Sequence, residues 1–289
     1  MKKSQLIIAA GLMLASISTR ADVANYQSTV SGQTPGYYFH FDNSLVDSVG
    51  GTAAFTANGS ATFGSDYSAN ANDAALFPVV TDYLSLASPT IISGENTSTA
   101  VGSLSLLFYL PSTVPNTAYL FSDSETTGSE FAFDISGGNT FQLKIGNLTS
   151  SLSGTPTITL ATWYYLSVTY NLNGTATGVN GVNWYLGVPG GSLSSGFIQK
   201  GGTGNINTTS TLGNGGTFDL GNRLLHNNSF GAGSEIDELA TWNTALSSSQ
   251  IQAQFSAVTV PEPSTWAMVS IGMLTLLRFR RKVGANRQG

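Results

Sequence analysis

The chain has 289 residues, no cysteine, and 16 acidic against 11 basic residues, which gives a formal net charge of −5. Most basic residues lie near the two ends, so that residues 22–260 hold three basic and 15 acidic residues, a balance of −12. Nucleic acid and anionic membrane surfaces are poor partners for this segment because both need a basic patch, and disulfides and thiol catalysis are excluded.

The N-terminal segment, residues 1–21, has the pattern of a secretory signal peptide. Lys2 and Lys3 precede an apolar run over 6–17, and a small-x-small cleavage site follows at 19–21. The alternative is an uncleaved signal anchor, but this run is short against the roughly 20 residues that span a bilayer. We therefore predict that the chain is exported and that the signal peptide is cleaved between Ala21 and Asp22.

The middle of the chain has many short β-rich runs. Clusters of Gly, Asn, Ser and Thr, such as "ISGGNT" and "NLNGTATG", separate these runs and are typical of turns. The polar tract 190–216 fits either a long loop or a pair of weak edge strands. The predicted strands are 36–41, 83–87, 103–110, 129–135, 140–145, 163–170, 182–188 and 235–242.

One helix is predicted, and it follows the last of these strands. Ser247 as the N-cap and Gln250 three residues later form a capping box. Ile251 and Phe255 come at the spacing that places both side chains on one helix face. Many short strands and one short late helix favour an all-β fold, an antiparallel β-sandwich.

The order of these segments carries further information. "YYFHFDNSLVDSVGG", "YLSLA", "SLSLLFYL", "TWYYLSVTY" and "NWYLGV" are followed by "SEIDELATWNTALSSSQIQAQF". This order resembles that of laminin-G-like, concanavalin A-like jelly rolls, and the last block is the most specific part. The resemblance covers about residues 36–256 and implies one jelly-roll domain over 22–258. Phe108 departs from the family pattern, because such domains often carry a tryptophan near this position.

The sharpest catalytic candidate is "EIDE", residues 235–238. Laminarinase-type glycoside hydrolases share this fold superfamily and carry a similar Glu-x-Asp-x-(x)-Glu strand with the nucleophile and the acid/base at its ends. Strand alternation places Glu235 and Asp237 on one face. The positions two and three beyond Asp237 are Leu239 and Ala240, so the second carboxyl group that the reaction needs is missing. We predict a non-catalytic protein, and a secreted glycoside hydrolase acting on β-glucans is the alternative.

A structural calcium ion is the one cofactor that the sequence supports, since calcium takes carboxylate and carbonyl oxygens as ligands. Related jelly rolls often hold such an ion between an early Asp-containing loop and the late Asp strand. Asp47 in "VDSVGG" and Asp237 match those positions. In the alternative, Asp47 caps a turn and Asp237 pairs with a loop amide.

Sugar binding is the function most often attached to this fold, usually through aromatic side chains on a concave face or a loop. The tryptophans on strands have apolar neighbours and are predicted to be buried in the core: Trp163, Trp184 and Trp242, the last on one face with Ile236 and Ala240. The candidates for exposed stacking residues are Tyr67, Tyr83 and Phe230.

The C-terminal segment combines two prolines, an apolar run and a basic cluster. Trp266 to Leu277 is a run of 12 residues. As a helix it reaches about 18 Å, against a hydrocarbon core of about 30 Å. It is therefore a minimal membrane anchor, even with Arg278 snorkelling to the interface. The basic residues that follow hold the C-terminal side in the cytoplasm: Arg278, Arg280, Arg281 and Lys282.

These three features resemble the bacterial PEP-CTERM sorting signal, and Pro261, Glu262 and Pro263 match its motif residue for residue. The resemblance implies that 259–289 anchors the chain transiently in the inner membrane of a Gram-negative bacterium. An exosortase-type enzyme would then remove residues after about Pro263. The domain would remain at the cell surface or in the exopolysaccharide matrix, where it binds glycans or packs with exopolysaccharide. A plain tail anchor is the alternative.

Overall fold

The computed structural model describes most of the domain, namely residues 23–87, 91–94, 97–123, 130–137, 140–146, 148–151, 158–173, 181–200, 211–213, 217–223 and 226–258. Two helices are present among these residues, α1 (Val23–Gly32) and α2 (Ser248–Ala257). The strands are β1 (Tyr37–Phe39), β2 (Thr56–Asn58), β3 (Thr62–Ser65), β4 (Ala71–Phe77), β5 (Tyr83–Leu86), β6 (Val101–Leu110), β7 (Thr117–Ser122), β8 (Glu130–Ser136), β9 (Thr140–Gly146), β10 (Leu148–Ser151), β11 (Thr162–Asn171), β12 (Gly181–Gly187), β13 (Leu193–Gln199), β14 (Phe218–Leu220) and β15 (Ser234–Trp242).

The strands form two antiparallel sheets, which confirms the predicted all-β antiparallel sandwich. The eight-stranded sheet has the order β13-β12-β11-β6-β15-β4-β3, and β1 also pairs with β15. The seven-stranded sheet has the order β10-β9-β8-β7-β14-β5-β2. Strands far apart in the chain, such as β6 and β15, are neighbours, as in Greek-key sandwiches.

A hydrophobic core fills the space between the two sheets. Alternate residues of each strand point into it, as Phe131, Phe133 and Ile135 of β8 show. Phe108 of β6 lies 6.3 Å from Phe133 and 6.1 Å from Phe141 between ring centroids, so its side chain joins the two sheets. Each large apolar side chain buried in this way contributes about 1.5–3 kcal/mol.

A second apolar cluster lies on the outer face of the eight-stranded sheet. Helix α1 contributes Tyr26 and Val30, and helix α2 contributes Ile251 and Phe255. We call this cluster the helix-covered face, because both helices pack on it. The residues of both apolar clusters fall between positions 23 and 258, so this part of the chain contains its own core.

The eight strands predicted from the sequence are confirmed as β1, β5, β6, β8, β9, β11, β12 and β15, with ends shifted by one or two residues. The strands that the sequence did not predict are mostly short or polar: β2, β3, β4, β7, β10, β13 and β14. Strand β13 lies at an edge of the eight-stranded sheet. It falls within 190–216, where weak edge strands were one of the two alternatives.

The late helix is confirmed, whereas the prediction of only one helix was wrong. The Ser247 side chain accepts the backbone N–H of Gln250, and the Gln250 side chain accepts that of Ser247, as a capping box requires. Helix α1 was missed because its sequence, VANYQSTVSG, contains Val, Thr, Ser and Gly, which have modest or poor helix propensity. Packing of Tyr26 and Val30 on the sheet stabilises α1 instead.

The predicted signal peptide, residues 1–21, and the predicted sorting signal, residues 259–289, lie outside the described residues. The same holds for the motif and anchor residues named for the sorting signal, from Pro261 to Arg281. Within the described ranges, neither helix has the length and apolar character needed to cross a membrane.

Candidate functional site

The two outer faces of the sandwich differ in chemistry. The eight-stranded sheet carries the helix-covered face, which is apolar. On the seven-stranded sheet, the positions that alternate with the core residues of each strand point outward. Most of these positions carry polar side chains, so this outer face is polar. Directly paired residues form one row across all seven strands: Thr56, Ser85, Asp219, Ser122, Ala132, Lys144 and Thr149. We call this set the polar row.

A charged cluster lies beside one half of the polar row. The ammonium of Lys144 is 2.9 Å from Asp134 Oδ2, donates to the hydroxyl of Tyr119 and lies 4.4 Å from the centre of the Tyr119 ring. The guanidinium carbon of Arg223 lies 5.5 Å from the same ring. Burial raises the pKa of Asp134, although Lys144 opposes this shift. Two of the three basic residues of 22–260 therefore meet on this face.

An aromatic pair lies beside the other half of the row. The ring of His226 stacks on that of Tyr83, with 3.9 Å between centroids and 17° between planes. His226 Nε2 is 3.0 Å from Asp219 Oδ2, so the buried carboxylate of the row fixes the imidazole. The side chain of His226 remains 41% exposed, which leaves part of the stacked pair accessible to a ligand.

Two oxygen atoms in this region lack a hydrogen-bond partner among the described residues. They are Ser122 Oγ and Asp134 Oδ1, and both are buried. A buried polar atom left unpaired costs about 1–3 kcal/mol. Such atoms are normally satisfied by ordered water, and their burial keeps them away from a ligand at the surface.

The sequence-predicted carboxylates lie on the opposite side of the molecule, on β15 of the eight-stranded sheet. Glu235 and Asp237 flank Ile236, whose side chain is in the core between the sheets, so both face outward as alternation predicts. Burial raises the pKa of Glu235 to about 7 and that of Asp237 well above its usual range. A Cβ on Gly64 would lie 2.5 Å from Glu235 Oε1, so this glycine leaves room for the carboxylate.

Glu238 lies at an irregularity in the same strand. Its φ is +56°, and the pairing with β6 shifts register between Asp237 and Ala240. Because of this bulge, Ala240 and Trp242 join the helix-covered face, while Ile236 is in the core between the sheets. The prediction that Trp242 shares a face with Ile236 was therefore wrong, although Trp242 is buried as predicted.

The bulge points the buried Glu238 carboxylate toward a group of side-chain hydrogen-bond donors. Gln27 Nε2 of helix α1 donates to Glu238 Oε1 at 2.6 Å, and the Tyr38 hydroxyl of β1 donates to Oε2. His40 Nδ1 lies 3.2 Å from Oε2. Glu238 thus connects α1, β1 and β15. Burial lowers the pKa of His40, but the hydrogen bond and charge of Glu238 outweigh it, and the net shift is upward.

The carboxyl groups near this network make stability depend on pH. Burial, followed by the charge of Glu238, raises the pKa of Asp42 to about 6, and burial raises that of Glu235 to about 7. A carboxyl group with a raised folded-state pKa binds more protons in the folded state, so stability falls as pH rises from about 4 to about 7. The raised pKa of His40 acts in the same direction, because its contribution is full below about 6.5 and is lost as pH rises through its folded-state value.

We therefore expect a higher melting midpoint at pH 5 than at pH 8. Thermal melts across this range provide the measurement, and Glu235→Gln should reduce the difference because it removes one of the shifted groups. A midpoint that rises between pH 5 and pH 8 would contradict the upward shifts.

The two residues predicted to bind calcium have different surroundings. Asp47 Oδ1 accepts the backbone N–H groups of Tyr38 and Val49, and its Oδ2 accepts that of Gly50, so Asp47 caps a turn. Asp237 Oδ1 accepts the N–H of Glu238, and its Oδ2 has no hydrogen-bond partner among the described residues. In that part of the chain, no group of three or more His, Asp or Glu side chains could hold a metal ion. The calcium site stays a prediction from the sequence.

Because backbone N–H groups of the turn and of Tyr38 on β1 already occupy both Asp47 oxygens, we expect a chelator to leave the melting midpoint unchanged. The measurement is a thermal melt at neutral pH with EDTA and with added calcium. A midpoint that falls with EDTA and recovers with calcium would show instead that an ion stabilises the fold.

Of the three aromatic residues predicted to be exposed for stacking, only Tyr83 lies on the polar face. Tyr67 packs edge-on against Trp163 beside the helix-covered face. Phe230 is buried, 5.6 Å from Phe108 in the core, so its predicted exposure was wrong. Tyr119, Lys144 and Asp134 were missed. The available signal was the lysine itself, because alternation in "TFQLKIG" places it opposite the core residues.

The comparisons with known proteins concern the tail and the fold separately. A family model described as the PEP-CTERM protein-sorting motif matches residues 259–282. No curated protein shows significant sequence similarity to the chain. The structure is similar to the binding domain of botulinum neurotoxin serotype D, at 14% identity and a TM-score of 0.54, over 78% of this chain and 52% of that one.

Two further solved structures resemble the fold. One is the botulinum neurotoxin serotype G binding domain, at 14% identity and a TM-score of 0.51, over 77% of this chain and 50% of that one. The other is domain 4 of AbnA, a GH43 extracellular arabinanase from Geobacillus stearothermophilus, in complex with arabinotriose. There the identity is 17% and the TM-score 0.52, over 78% of this chain and 98% of that one.

At these identities the similarity concerns the fold alone, and the chain spans about half the length of the neurotoxin structures. The sorting motif directly follows the last described residue, Val258. The chain is therefore an all-β sandwich protein of the jelly-roll type that carries a PEP-CTERM protein-sorting motif at its C-terminal end.

Proposed function

We propose that this protein is a non-catalytic surface protein that binds glycans through the polar outer face of its seven-stranded sheet. It is exported, sorted by an exosortase-type enzyme after transient anchoring, and retained at the surface or in the exopolysaccharide matrix of a Gram-negative bacterium. The sorting motif at 259–282 supports the export and processing steps.

The observation that carries glycan binding is the difference between the two outer faces. Helices cover the apolar face, whereas the other face presents a charged cluster and an aromatic pair. Asp134 holds Lys144 in a fixed position, and the Lys144 side chain, which is still 18% exposed, can donate hydrogen bonds to hydroxyl groups. The Tyr83–His226 pair provides a flat ring surface, against which the C–H face of a sugar can pack. The domain of AbnA solved with arabinotriose supports a sugar ligand for this fold.

The position of the C-terminal exit suits surface display. Val258 is buried in the helix-covered face, on the opposite side of the sandwich from the polar row. A tail attached after this residue leaves the polar face directed away from the point of attachment. The glycan site would therefore be accessible both before and after processing.

The non-catalytic assignment rests on the carboxyl groups of β15. A retaining glycosidase needs an ionised nucleophile beside a protonated acid. Burial raises the pKa values of both Glu235 and Asp237, so neither carboxyl group is favoured as the ionised nucleophile. Incubation with laminarin, lichenan and agarose should therefore release no reducing ends. Release by the wild type but not by Glu235→Gln would establish the glycoside hydrolase instead.

The binding test compares two tyrosines on opposite faces, in a protein spanning residues 22–258 on a glycan array. We expect wild type and Tyr67→Ala to bind the same glycan, and Tyr83→Ala to bind it about tenfold more weakly, because the stacked ring is lost. Thermal melts confirm that both variants fold. Absence of glycan binding by the wild type, or equal weakening by both variants, would contradict the proposal.

A further inference from the structure

The chain between the folded domain and the sorting motif is very short. Helix α2 ends at Ala257, and Val258 is buried in the helix-covered face. Two residues, 259–260, separate Val258 from Pro261, the first residue of the motif. Even a fully extended chain covers at most about 11 Å in these three steps. An enzyme that holds the motif must therefore lie directly against the surface from which the chain leaves the domain.

Side-chain contacts hold the last turn of α2 in place. The hydroxyl of Tyr165 donates to Gln254 Oε1 at 2.7 Å, and Gln254 Nε2 donates to Gln33 Oε1 at 2.6 Å. The side chains of Phe255 and Val258 are buried. Unwinding the last turn to lengthen the spacer would break both hydrogen bonds and expose two apolar side chains. The domain therefore meets the enzyme with α2 folded.

The surface beside the exit point carries no charge. Neither α1 nor α2 contains a charged residue, although residues 22–260 carry a formal charge of −12. Gln252, Ala253 and Ser256 are exposed on α2, and their spacing of three and four residues places them on one helix face. We call these three residues the exit surface. A partner can cover such a surface without leaving a buried ion unpaired.

We infer that the exit surface is where the membrane-bound exosortase-type enzyme docks on the folded domain. The inference rests on the proposed sorting step and names a surface that the enzyme recognises besides the motif. The matching surface of the enzyme is uncharged and polar, and it exchanges hydrogen bonds with the side chains of Gln252 and Ser256. Because the short spacer links the two parts, binding of the motif raises the effective concentration of the exit surface at the enzyme.

The first experiment lengthens the spacer. About 12 flexible Gly and Ser residues are inserted between Val258 and Thr259 of the full chain in its own host. Pulse labelling then measures how fast new chains lose the C-terminal segment. We expect this rate to fall at least about fivefold, because effective concentration falls with linker length. An equal or faster rate would overturn docking and leave sorting intact. A wild type that keeps its tail would overturn the sorting proposal itself.

The second experiment places either charge in the exit surface. Ala253→Glu and Ala253→Arg are compared with Val80→Glu and Val80→Arg, because Val80 is 55% exposed in the loop between β4 and β5, outside both helices. We expect both changes at Ala253 to slow processing at least about fivefold and both changes at Val80 to leave it unchanged. Equal rates at the two positions would overturn the inference.

The sign of the added charge separates the enzyme from the membrane as the partner. A surface that faced anionic headgroups would be repelled by Ala253→Glu and attracted by Ala253→Arg. Slower processing with the first and faster processing with the second would therefore overturn docking on the enzyme. Thermal melts of 22–258 check that the variants fold, and Ala253→Ser should process like the wild type. The insertion leaves 22–258 unchanged, so its readout does not depend on whether a variant folds.

Discussion

Phe108→Ala is expected to lower the free energy of unfolding by about 4 kcal/mol, because it removes a fully buried aromatic ring. The ring contacts side chains of both sheets and of the loop before β15, at centroid distances from 5.2 to 6.3 Å: Phe133, Phe141, Tyr164 and Phe230. The cavity left behind would lie in the middle of the core, where rigid strands on both sides limit collapse.

Urea unfolding measures this effect, with Phe197→Ala as the control because Phe197 is 43% exposed. Phe197→Ala should lower the free energy of unfolding by well under half as much as Phe108→Ala does. Phe108→Trp should cost about 1–3 kcal/mol, because the four surrounding rings already fill the space that a larger side chain needs. A loss below about 1 kcal/mol for Phe108→Ala would contradict the central position of this ring.

Glu238→Ala is expected to cost about 3 kcal/mol, because it leaves three polar partners without their acceptor, and one of them, Tyr38, is buried. Gln27, Tyr38 and His40 would lose their hydrogen bonds, and helix α1 would lose a side-chain bond to β15. Urea unfolding measures the loss, and hydrogen exchange should show α1 opening more often than β6. Glu238→Gln keeps one acceptor oxygen, so it should lower the free energy of unfolding less than Glu238→Ala does. Equal stability of wild type and Glu238→Ala would contradict the role of Glu238 as a connector.

The regular strands could be predicted because the alternation of apolar residues in their sequences indicates which face is buried. In β8 the core residues Phe131, Phe133 and Ile135 alternate with polar positions, and this period is visible without the rest of the fold. Strands β2 and β14 have three residues each, too few to show a period, and they are strands because of neighbours distant in the chain. Helix α1 likewise depends on its packing rather than on its own propensity.

The polar face could be predicted only in part. Ala132 and Lys144 face each other within one hairpin, β8–β9, so their pairing follows from a local turn. Asp219 joins the row through pairing with β5 and β7, more than 95 residues away in the chain, and no local pattern fixes that register. The bulge at Glu238 also escaped prediction, because a one-residue shift reverses the facing of every following side chain.

The sorting motif needs no fold to be predicted. Pro261, Glu262 and Pro263 are adjacent in the chain, so the motif can be read from the sequence alone. The motif match at 259–282 bears out this part of the sequence analysis. Residues that form a short linear signal are therefore visible in the sequence, whereas the polar face depends on strand order and register.

Intact-mass analysis of the protein extracted from the surface of its own host tests most directly whether this domain is sorted and displayed. The account predicts a chain that begins after residue 21 and ends near Pro263, with the apolar run and the basic cluster removed. Surface chains that still carry Arg278 to Lys282 would contradict processing by an exosortase and would leave a plain tail anchor.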